Sequence, residues 1–504
     1  MSRINTNISS ILAQRVLGSN NKTLGQSLER LSTGLRINRG KDDPAGLIAS
    51  ENLRSEISSL NAAIDNSERA DQVVNIAEGG LQEVSSLLTE LQGLLTASAS
   101  SAGLSSAEKE ANQLQIDSIL QTIDRVASST SFQGSKLLSG NFDYQVDSVA
   151  SGVSDYRVNG AKFEGASLDV SAIVTTSAQQ AGVYLSLGGA SLDLGTGSAF
   201  TVEIAGAKGT RELQFASGQT LAQIVAAVNT FSDVTGVTAS AGTTGVTFRS
   251  ADFGSAEFVS VTAVDDGGIG AAANIGIYDF ESGDNSTIDA SAHTDFSAAT
   301  NGIRDDGQDI AGTVNGLLAT GNGKTLKVNS DFLDVSINLD TTTSQTLASV
   351  SAFTITGGGA DFQLSSDVNI AGKVSVGIQD VAVRKLGSSD DGFLDDLGSG
   401  KDFNVVDASG SDFSSAQKVV DLAIEQVSSL RGRLGAFQKN VIGATIRSLG
   451  VAVENTAAAE STIRDADFAT ETAGLTRSQI LVSASTNVLA LANQSPQNVL
   501  QLLG

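Results

Sequence analysis

Charged clusters and one histidine are the places in this sequence where residue types and spacing suggest chemistry. The stretch RINRGKDDPAGL, residues 36–47, contains a Gly-Lys pair, two adjacent aspartates and one of the chain's two prolines. Residues 304–309 and 390–402 are further carboxylate clusters, and His293 has aspartates close to it in sequence. The chemistries to weigh are therefore phosphate binding, metal binding and acid–base catalysis.

Each of these chemistries meets an objection in the sequence. A phosphate loop needs Ser or Thr after Gly-Lys, whereas Gly40-Lys41 leads into Asp42 and Asp43, whose carboxylates would repel a phosphate. Neither carboxylate cluster has the alternating acids and closing Glu of a calcium loop. A chain with no Cys and a single His lacks thiolate and two-histidine zinc sites. The sequence predicts no enzyme, no metal and no cofactor.

The stretch 36–47 is better interpreted as a joint between two helical segments. Asp43 fits an N-cap, and Pro44 fits the first helical position that follows it. Proline also disfavours helix at the residue before it. One helix is therefore expected to end before Asp43 and another to begin at Pro44.

Charge divides the chain into three parts. Residues 141–410 hold 12 basic and 33 acidic residues, a net charge of −21 within a total of −25, whereas the first 41 residues hold seven basic residues and one acid. An acidic middle argues against nucleic-acid binding. The longest apolar-leaning run is too short to cross a bilayer, and the first residues lack the apolar core of a signal peptide. We expect neither membrane insertion nor a cleaved signal peptide.

Apolar residues spaced by three and four predict long helices in both flanks. The first flank predicts a helix over residues 44–97 with a register shift near residues 78–80, then a helix that begins with the capping box Ser105 and Glu108. The last flank predicts an unbroken heptad seam from Val420 to Val451. Helices this long need partners, so a bundle is predicted. Its seam positions are Leu53, Ile57, Leu60, Ile64, Leu81, Val84, Leu88, Leu91, Leu430, Leu434, Phe437 and Val441.

Both chain ends carry further apolar seams. The C-terminal helix is apolar over so much of its circumference that we expect more than one partner helix to cover it. The predicted packing positions of the end helices are Ile4, Ile8, Ile11, Leu24, Leu28, Leu31, Leu35, Phe468, Leu475, Val482 and Leu489.

The middle of the chain is β-rich. Phe200, Val202 and Ile204 alternate with polar residues, and a helical stripe follows over residues 221–228. A β-β-α-β-β unit is therefore predicted within residues 181–264, and a second β-rich unit from residue 301.

Four stretches of the flanks resemble bacterial flagellins: residues 31–57, 123–138, 427–438 and 463–503. Residues 200–239 resemble an insertion motif of some flagellins and hook-associated proteins. The resemblance implies a mainly α fold, in which the N- and C-terminal flanks form a long antiparallel coiled coil or helical bundle around a large β-rich, α+β insertion. The domains that it implies are an inner filament core (1–41 with 459–504), a helical rod with a β-hairpin (42–178 with 405–458) and a variable surface region (179–404, divided into 179–270 and 271–404).

The resemblance also implies a function. The chain would polymerise with copies of itself into the extracellular flagellar filament, the propeller for swimming. Its expected partners are the flagellar type III export apparatus, an export chaperone, and the filament cap and hook-associated proteins. The residues of the joint expected to contact neighbouring subunits are Arg36, Arg39, Lys41, Asp42, Asp43 and Pro44.

Flagellins are also recognised by a Toll-like innate immune receptor. Flagellins that activate it strongly carry Arg where this chain has Glu90 and Glu where it has Gln115, whereas Leu94 is shared. The reversed charge at Glu90 predicts weak activation.

Two alternative functions stay open at this point. The first is a hook–filament junction protein, which would share the terminal helices. The second, from another class, is a surface module whose middle region acts as an adhesin or carries glycans.

Overall fold

The computed structural model describes residues 6–100, 103–194, 199–269, 274–281, 284–406 and 410–501. Long helices lie in both flanks, and a 3₁₀ helix (Leu394–Leu397) and a π-helical turn (Phe437–Ile442) lie in the second half. No helix in these ranges is long and apolar enough to cross a bilayer. The α-helices are α1 (Ile8–Thr33), α2 (Pro44–Ser98), α3 (Ser106–Ser129), α4 (Leu221–Asn229), α5 (Ser232–Thr235), α6 (Thr341–Gln345), α7 (Gly410–Ala436), α8 (Gly443–Arg464) and α9 (Phe468–Gln501).

The N-terminal ends of α2 and α3 follow from their capping residues. The Asp43 carboxylate accepts a hydrogen bond from the Gly46 N–H at 2.9 Å, and Pro44 has no N–H that needs a partner. The predicted N-cap is therefore confirmed, and the helix predicted over residues 44–97 is α2. The predicted capping box of Ser105 and Glu108 is confirmed at α3.

One face of α2 is buried as a continuous heptad stripe. The stripe has no register change at Gly79-Gly80, so the prediction of a shift there is wrong. The shift lies after Leu60, where the stripe continues to Ala63 while Ile64 is half-buried. The stripe was not predicted in full, because several of its members are Ala or Ser and the prediction used large apolar side chains. Its members are Leu60, Ala63, Ser67, Ala70, Val74, Ala77, Leu81, Val84, Leu88, Leu91, Leu95 and Ser98.

The π-helical turn interrupts the heptad seam of the last flank. Backbone hydrogen bonds in such a turn reach five residues back, so the turn holds one residue more than an α-helical turn. The buried position after Phe437 is consequently Ile442, and Val441 is half-buried. Val451 is 58 % exposed, so the prediction of an unbroken seam to Val451 is wrong. The buried members before the turn are Val420, Ala423, Val427, Leu430 and Leu434.

The described strands form antiparallel sheets. They are β1 (Ser131–Phe132), β2 (Ser135–Lys136), β3 (Tyr144–Asp147), β4 (Val153–Ala161), β5 (Leu168–Thr176), β6 (Gly182–Ser186), β7 (Phe200–Gly206), β8 (Gly209–Phe215), β9 (Val237–Ala241), β10 (Gly245–Ser250), β11 (Phe258–Asp265), β12 (Gly276–Glu281), β13 (Asp284–Thr294), β14 (Ile303–Asp306), β15 (Ala311–Val314), β16 (Leu317–Asn322), β17 (Thr325–Asn329), β18 (Leu333–Leu339), β19 (Ser349–Gly358), β20 (Ala360–Gln363), β21 (Lys373–Val376), β22 (Gly387–Ser388) and β23 (Gly392–Phe393).

Two of these sheets and α4 enclose one apolar core. The five-stranded sheet has the order β13-β12-β6-β10-β9, and the four-stranded sheet has the order β14-β11-β7-β8. Phe200, Phe248, Val261 and Ile224 are buried between them. The predicted β-β-α-β-β order is confirmed by β7, β8, α4, β9 and β10, but the module extends beyond residue 264 to β14.

A separate core lies against the eight-stranded sheet, whose order is β3-β19-β5-β15-β16-β17-β18-β4. Its two edge strands are bridged by the Tyr144 hydroxyl, which accepts a hydrogen bond from the Ala161 N–H at 2.8 Å. The Gly377 N–H donates to the Asn159 carbonyl on one edge, and the Ile378 N–H donates to the Phe142 carbonyl near the other. The sheet is thereby nearly closed.

Two buried glutamines hold the segment before α7 against the helices. The Gln113 side chain of α3 donates to the Leu397 carbonyl at 2.9 Å and accepts from the Val405 N–H at 2.8 Å. The Gln426 side chain of α7 makes both hydrogen bonds to the Gly387 backbone. Side-chain amides thus satisfy backbone groups of a segment in which only the short pair β22 and β23 forms a sheet.

The chain divides into two compact units. One comprises Met1–Gln72, Gln363–Gly372 and Ala436–Gly504, and the other comprises Val73–Phe362 and Lys373–Gly435. The first unit contains α1, α8 and α9, and the second contains α3, the sheets described above and both glutamine contacts.

Candidate functional site

The terminal helices α1 and α9 lie side by side and antiparallel. Near the start of α1, the Asn7 amide donates to the Ala492 carbonyl at 2.7 Å. In its middle, Asn20 donates to the Ser485 hydroxyl at 2.7 Å. Near its end, Arg30 forms an ion pair of 2.8 Å with Glu471. Hydrogen bonds therefore link the two helices along their length.

The seam between α1 and α9 is made of small, polar and aliphatic residues in heptad spacing. The most shielded of them are serines and an alanine, whereas the leucines between them are half-buried. We call this set the polar seam: Ser10, Ala13, Leu17, Asn20, Leu24, Ser27 and Leu31 on α1, and Leu475, Ser478, Val482, Ser485, Leu489 and Ala492 on α9.

Large apolar side chains of both helices point to solvent. Ile8 is 64 % exposed, Phe468 is 65 % exposed and Leu491 is 70 % exposed. We call this set the apolar outer surface: Ile8, Ile11, Leu12, Val16, Leu28, Phe468, Ile480, Leu481, Val488 and Leu491. Exposed apolar side chains in such number are typical of a surface that contacts another molecule.

The residues predicted to pack the end helices fall into both sets. Leu24, Leu31, Leu475, Val482 and Leu489 belong to the polar seam. Ile8, Ile11, Leu28 and Phe468 belong to the apolar outer surface, and Ile4 lies outside the described residues. The serines of the seam were missed, although their heptad spacing with Leu475 and Val482 is visible in the sequence.

The joint after α1 is tied to the segment before α9 by backbone pairing. Gly34 ends α1 with a φ of 73°, a conformation that favours glycine. The Arg36 N–H then donates to the Arg464 carbonyl at 2.7 Å, and the Ala466 N–H donates to the Gly34 carbonyl at 2.9 Å. Leu35 pairs with Asp465 in this bridge. Ile37, which the sequence analysis did not select, is almost fully buried.

Four charged residues of the joint have partners within the same chain. Arg39 forms an ion pair of 2.8 Å with Glu29, and the Asp42 carboxylate accepts from the Arg39 N–H at 3.0 Å. Arg36 lies 4.0 Å from Asp43, which also caps α2. Lys41 is exposed. The contacts of Arg39, Asp42 and Asp43 fix the local conformation of the joint.

Asp467 provides the N-cap of α9. Its carboxylate accepts from the Thr470 hydroxyl at 2.8 Å, from the Thr470 N–H and from the Ala469 N–H. These hydrogen bonds lower the pKa of Asp467 below its usual value, because they favour the charged form.

The positions of interest for receptor recognition lie in the second unit. Glu90 and Gln115 are exposed on α2 and α3, and Leu94 is half-buried. Nowhere in the described ranges do three or more His, Asp or Glu side chains form a group that could hold a metal ion.

Comparison with protein families gives three matches along the chain. The bacterial flagellin N-terminal helical region matches residues 4–143, and the bacterial flagellin C-terminal helical region matches residues 417–503. The flagellin hook IN motif matches residues 199–252, which contain β7 to β10 and α4.

Whole-chain relatives are similar over their full length. A flagellin of Salmonella choleraesuis is 30% identical over 524 residues, covering 99% of both chains. Flagellin B of Vibrio anguillarum is 27% identical over 502 residues, again covering 99% of both. Among solved structures, the flagellar cap protein FliD (D2-D3 domains) from Escherichia coli matches 42% of this chain and 97% of its own, at 18% identity and a TM-score of 0.26. A TM-score this low supports no functional argument.

Proposed function

The chain belongs to the bacterial flagellin family and is a structural subunit of the flagellar filament, and from this premise we propose how it assembles. We propose that the apolar outer surface of α1 and α9 is the contact through which each subunit joins its neighbours. The observation that supports this proposal is the distribution of side chains on the two helices. Serines, Ala13 and half-buried leucines face the partner helix, whereas ten further large apolar residues are exposed.

The free energy gained by burying apolar side chains favours assembled helices over an isolated pair of α1 and α9. Burying one large aliphatic or aromatic side chain contributes about 1.5–3 kcal/mol, whereas the serines of the polar seam contribute little. Ordering each helical residue costs about 1–2 kcal/mol in backbone entropy. The pair alone is therefore weak, and burial of Ile8, Phe468 and Leu491 against neighbouring subunits would offset the ordering cost.

In this proposal the flanks have separate tasks. The polar seam is an antiparallel coiled coil of the filament core, formed by residues 1–41 with 459–504. Residues 42–178 with 405–458 form the rod around that core, and residues 179–404 project outward. The joint contacts neighbouring subunits through Arg36, Arg39, Lys41, Asp42, Asp43 and Pro44. The charges of these residues then affect how neighbouring subunits lock together or slide.

The proposal is tested by assembly of purified protein onto filament seeds, followed by negative-stain microscopy. The full chain is expected to give long filaments, because a filament subunit adds repeatedly, whereas a hook–filament junction protein would not. A chain lacking residues 468–504 is expected to give none while its middle stays folded. Ile480→Asp, which places a charge on the apolar outer surface, is expected to block growth, and Gln479→Asp serves as the exposed control. Normal filaments from the truncated chain would refute the proposal.

Export and localisation follow from the same premise as proposals. The subunit leaves the cell unfolded through the flagellar type III apparatus with an export chaperone, and adds beneath the filament cap above the hook-associated proteins. A chain with no Cys and two Pro suits refolding after export, because it has no disulfides to form and few slow X-Pro bonds.

Recognition by the Toll-like receptor is proposed to be weak. Glu90 is exposed on α2 and carries the charge opposite to that of strongly activating flagellins. Purified monomer is expected to activate a receptor reporter line poorly, and Glu90→Arg to activate it more. A potent response by the native chain would contradict this expectation.

A further inference from the structure

The dipeptide Asn-Gly occurs four times in this chain, at residues 159–160, 301–302, 315–316 and 322–323. An asparagine before glycine can lose its side-chain amide without an enzyme, because glycine has no side chain that hinders the approach of its own backbone nitrogen. The reaction needs that nitrogen close to the side-chain carbonyl carbon, so a fold that fixes either group slows it. The surroundings of the four pairs therefore decide which of them reacts.

The side chain of Asn315 is held by hydrogen bonds at both of its polar atoms. Its carbonyl accepts from the Ser171 N–H at 2.8 Å and from the Ser171 hydroxyl at 3.3 Å. Its amide donates to the Asp169 carbonyl at 2.9 Å. Although Asn315 is exposed, its side chain cannot rotate toward the Gly316 nitrogen without breaking these hydrogen bonds.

Asn159 is fixed by its place inside β4. Its amide donates to the Asp334 carboxylate at 3.1 Å, and its backbone carbonyl accepts from the Gly377 N–H at 2.8 Å. The next residue, Gly160, pairs with Asp334 of β18. Both the Asn159 side chain and the backbone that follows it are therefore restrained.

Asn322 is the last residue of β16, where it pairs with Thr325 of β17. The Gly323 N–H donates to the Asp309 carboxylate at 2.7 Å, and Gly323 is buried. The Gly323 carbonyl accepts from the Ile310 N–H at 3.0 Å. The nitrogen that would attack Asn322 is thus held in place and shielded from water.

Asn301 differs from the other three asparagines. It lies between β13 and β14, outside any strand or helix, and both Asn301 and Gly302 are exposed. Within the part of the chain that the structure describes, no hydrogen bond holds the Asn301 side chain. A Cβ at Gly302 would lie 2.4 Å from the Ser260 hydroxyl oxygen, so the fold favours glycine at the position after Asn301.

We propose that Asn301 is a site of spontaneous deamidation in the folded chain. The Gly302 nitrogen bonds to the side-chain carbonyl carbon of Asn301 and loses its proton, while the carbon–nitrogen bond of the side-chain amide breaks and ammonia leaves. Water then opens the cyclic imide to aspartate or isoaspartate. Because the new carboxyl group is ionised at neutral pH, each subunit gains one negative charge, and an old filament carries more charge than a new one.

Ageing of the purified full-length chain at mildly alkaline pH, followed by proteolysis and mass spectrometry, tests the proposal. Asn301 is expected to react about tenfold faster than the three restrained pairs, because each of those must first give up a hydrogen bond. The same chain unfolded in guanidinium chloride is the reference, in which all four pairs are expected to react at comparable rates. Asn301→Gln should abolish the fast reaction, because glutamine would have to close a larger ring, whereas the matched control Asn322→Gln should keep it.

Two results would overturn the proposal. One is an intact Asn301 in the folded chain after the time in which all four pairs react in the unfolded chain. The other is a reaction at Asn159, Asn315 or Asn322 of the folded chain that is as fast as the reaction at Asn301. Far-UV circular dichroism of the aged samples checks that the chain stayed folded during the measurement.

Discussion

At the scale of single residues, serines determine how α1 meets α9. Ser10, Ser27, Ser478 and Ser485 are the most shielded side chains of the pair apart from Ala13, and none of them is large. A seam of hydroxyl groups gives direction and register through hydrogen bonds such as Ser10 to Asn493, at little gain in apolar burial. Many large apolar side chains of the two helices, such as Ile8 and Leu491, consequently stay exposed.

A second residue-scale feature is the carboxylate of Asp305 on β14. It accepts a hydrogen bond from the Gly182 N–H at 2.6 Å, which links the two sheets of the module. Burial raises the pKa of Asp305 to about 6, with a smaller contribution from the nearby Asp279. Because the folded state favours the protonated form, the module is most stable below pH 4 with respect to this group. That contribution is lost as the pH rises through 6.

Asp305→Asn should therefore stabilise the module at pH 7.5 and change little at pH 4. The neutral amide keeps an acceptor for the Gly182 N–H and removes the buried charge. The expected gain is about 1 kcal/mol, reduced from about 3 because the group is partly exposed. Urea unfolding at both pH values measures it, with the exposed Asp252→Asn of the same module as control. A gain of equal size at both pH values would contradict the titration of Asp305.

The sequence predicted some residues of the contact between α1 and α9 but not the others, for a physical reason. Heptad spacing of large residues selected Leu475 and Val482, which lie in the polar seam, and Phe468, which does not. A helix that is apolar on two faces does not reveal which face meets its first partner. The buried Gln113 and Gln426 were not predicted either, because their role depends on backbone brought near from distant positions.

At the scale of elements, one added residue changes which side of a helix carries the buried positions. The π-helical turn at Phe437–Ile442 shifts the buried stripe by one position, about 100° around the axis. The helix that follows, α8, has no fully buried residue within its described length. The helix and the seam before the turn were predictable from spacing. The turn itself was not, because local sequence carries no simple signal for it.

The shift in register predicts unequal costs at two adjacent positions. Ile442→Ala should destabilise the chain by about 2–5 kcal/mol, because Ile442 is fully buried and its truncation leaves a cavity. Val441→Ala should cost less than about 1 kcal/mol, because Val441 is half-buried. Urea unfolding followed by circular dichroism compares the two variants. A larger cost at Val441 would indicate an uninterrupted α-helix in solution.

At the scale of the whole molecule, the module with the flagellin hook IN motif enters and leaves the chain at one point. The Gln179 N–H donates to the Gln308 carbonyl at 2.9 Å, and the Gln308 N–H donates back at 3.0 Å. The apolar core of the module lies wholly between these residues. Further contacts join Ser255 to Asp309, Phe253 to the core of the eight-stranded sheet, and Asp233 to Lys418. The backbone therefore enters and leaves the module at two paired residues, and these side-chain contacts add to that connection.

Excision of residues 180–307 should leave the rest of the chain folded. An Asn-Gly turn can join Gln179 to Gln308, because paired residues in an antiparallel bridge lie about 5 Å apart. Circular dichroism and urea unfolding of the excised chain measure the outcome. Excision of residues 181–264, the boundary predicted from sequence, is the matched control and should misfold, since it removes β6 from one side of β12 and leaves β14 without most of its partner strand β11. Loss of folding in the first variant would show that the module supports the eight-stranded sheet.

The paired backbone at Gln179 and Gln308 has a practical consequence for what a filament can carry. Any foreign domain whose two ends lie about as close together satisfies the same geometric condition as the native module. Each subunit offers one such attachment point, far along the chain from the terminal helices that we propose drive assembly. Domain exchange at this point would turn the filament into a regular array that displays one enzyme, antigen or binding domain per subunit.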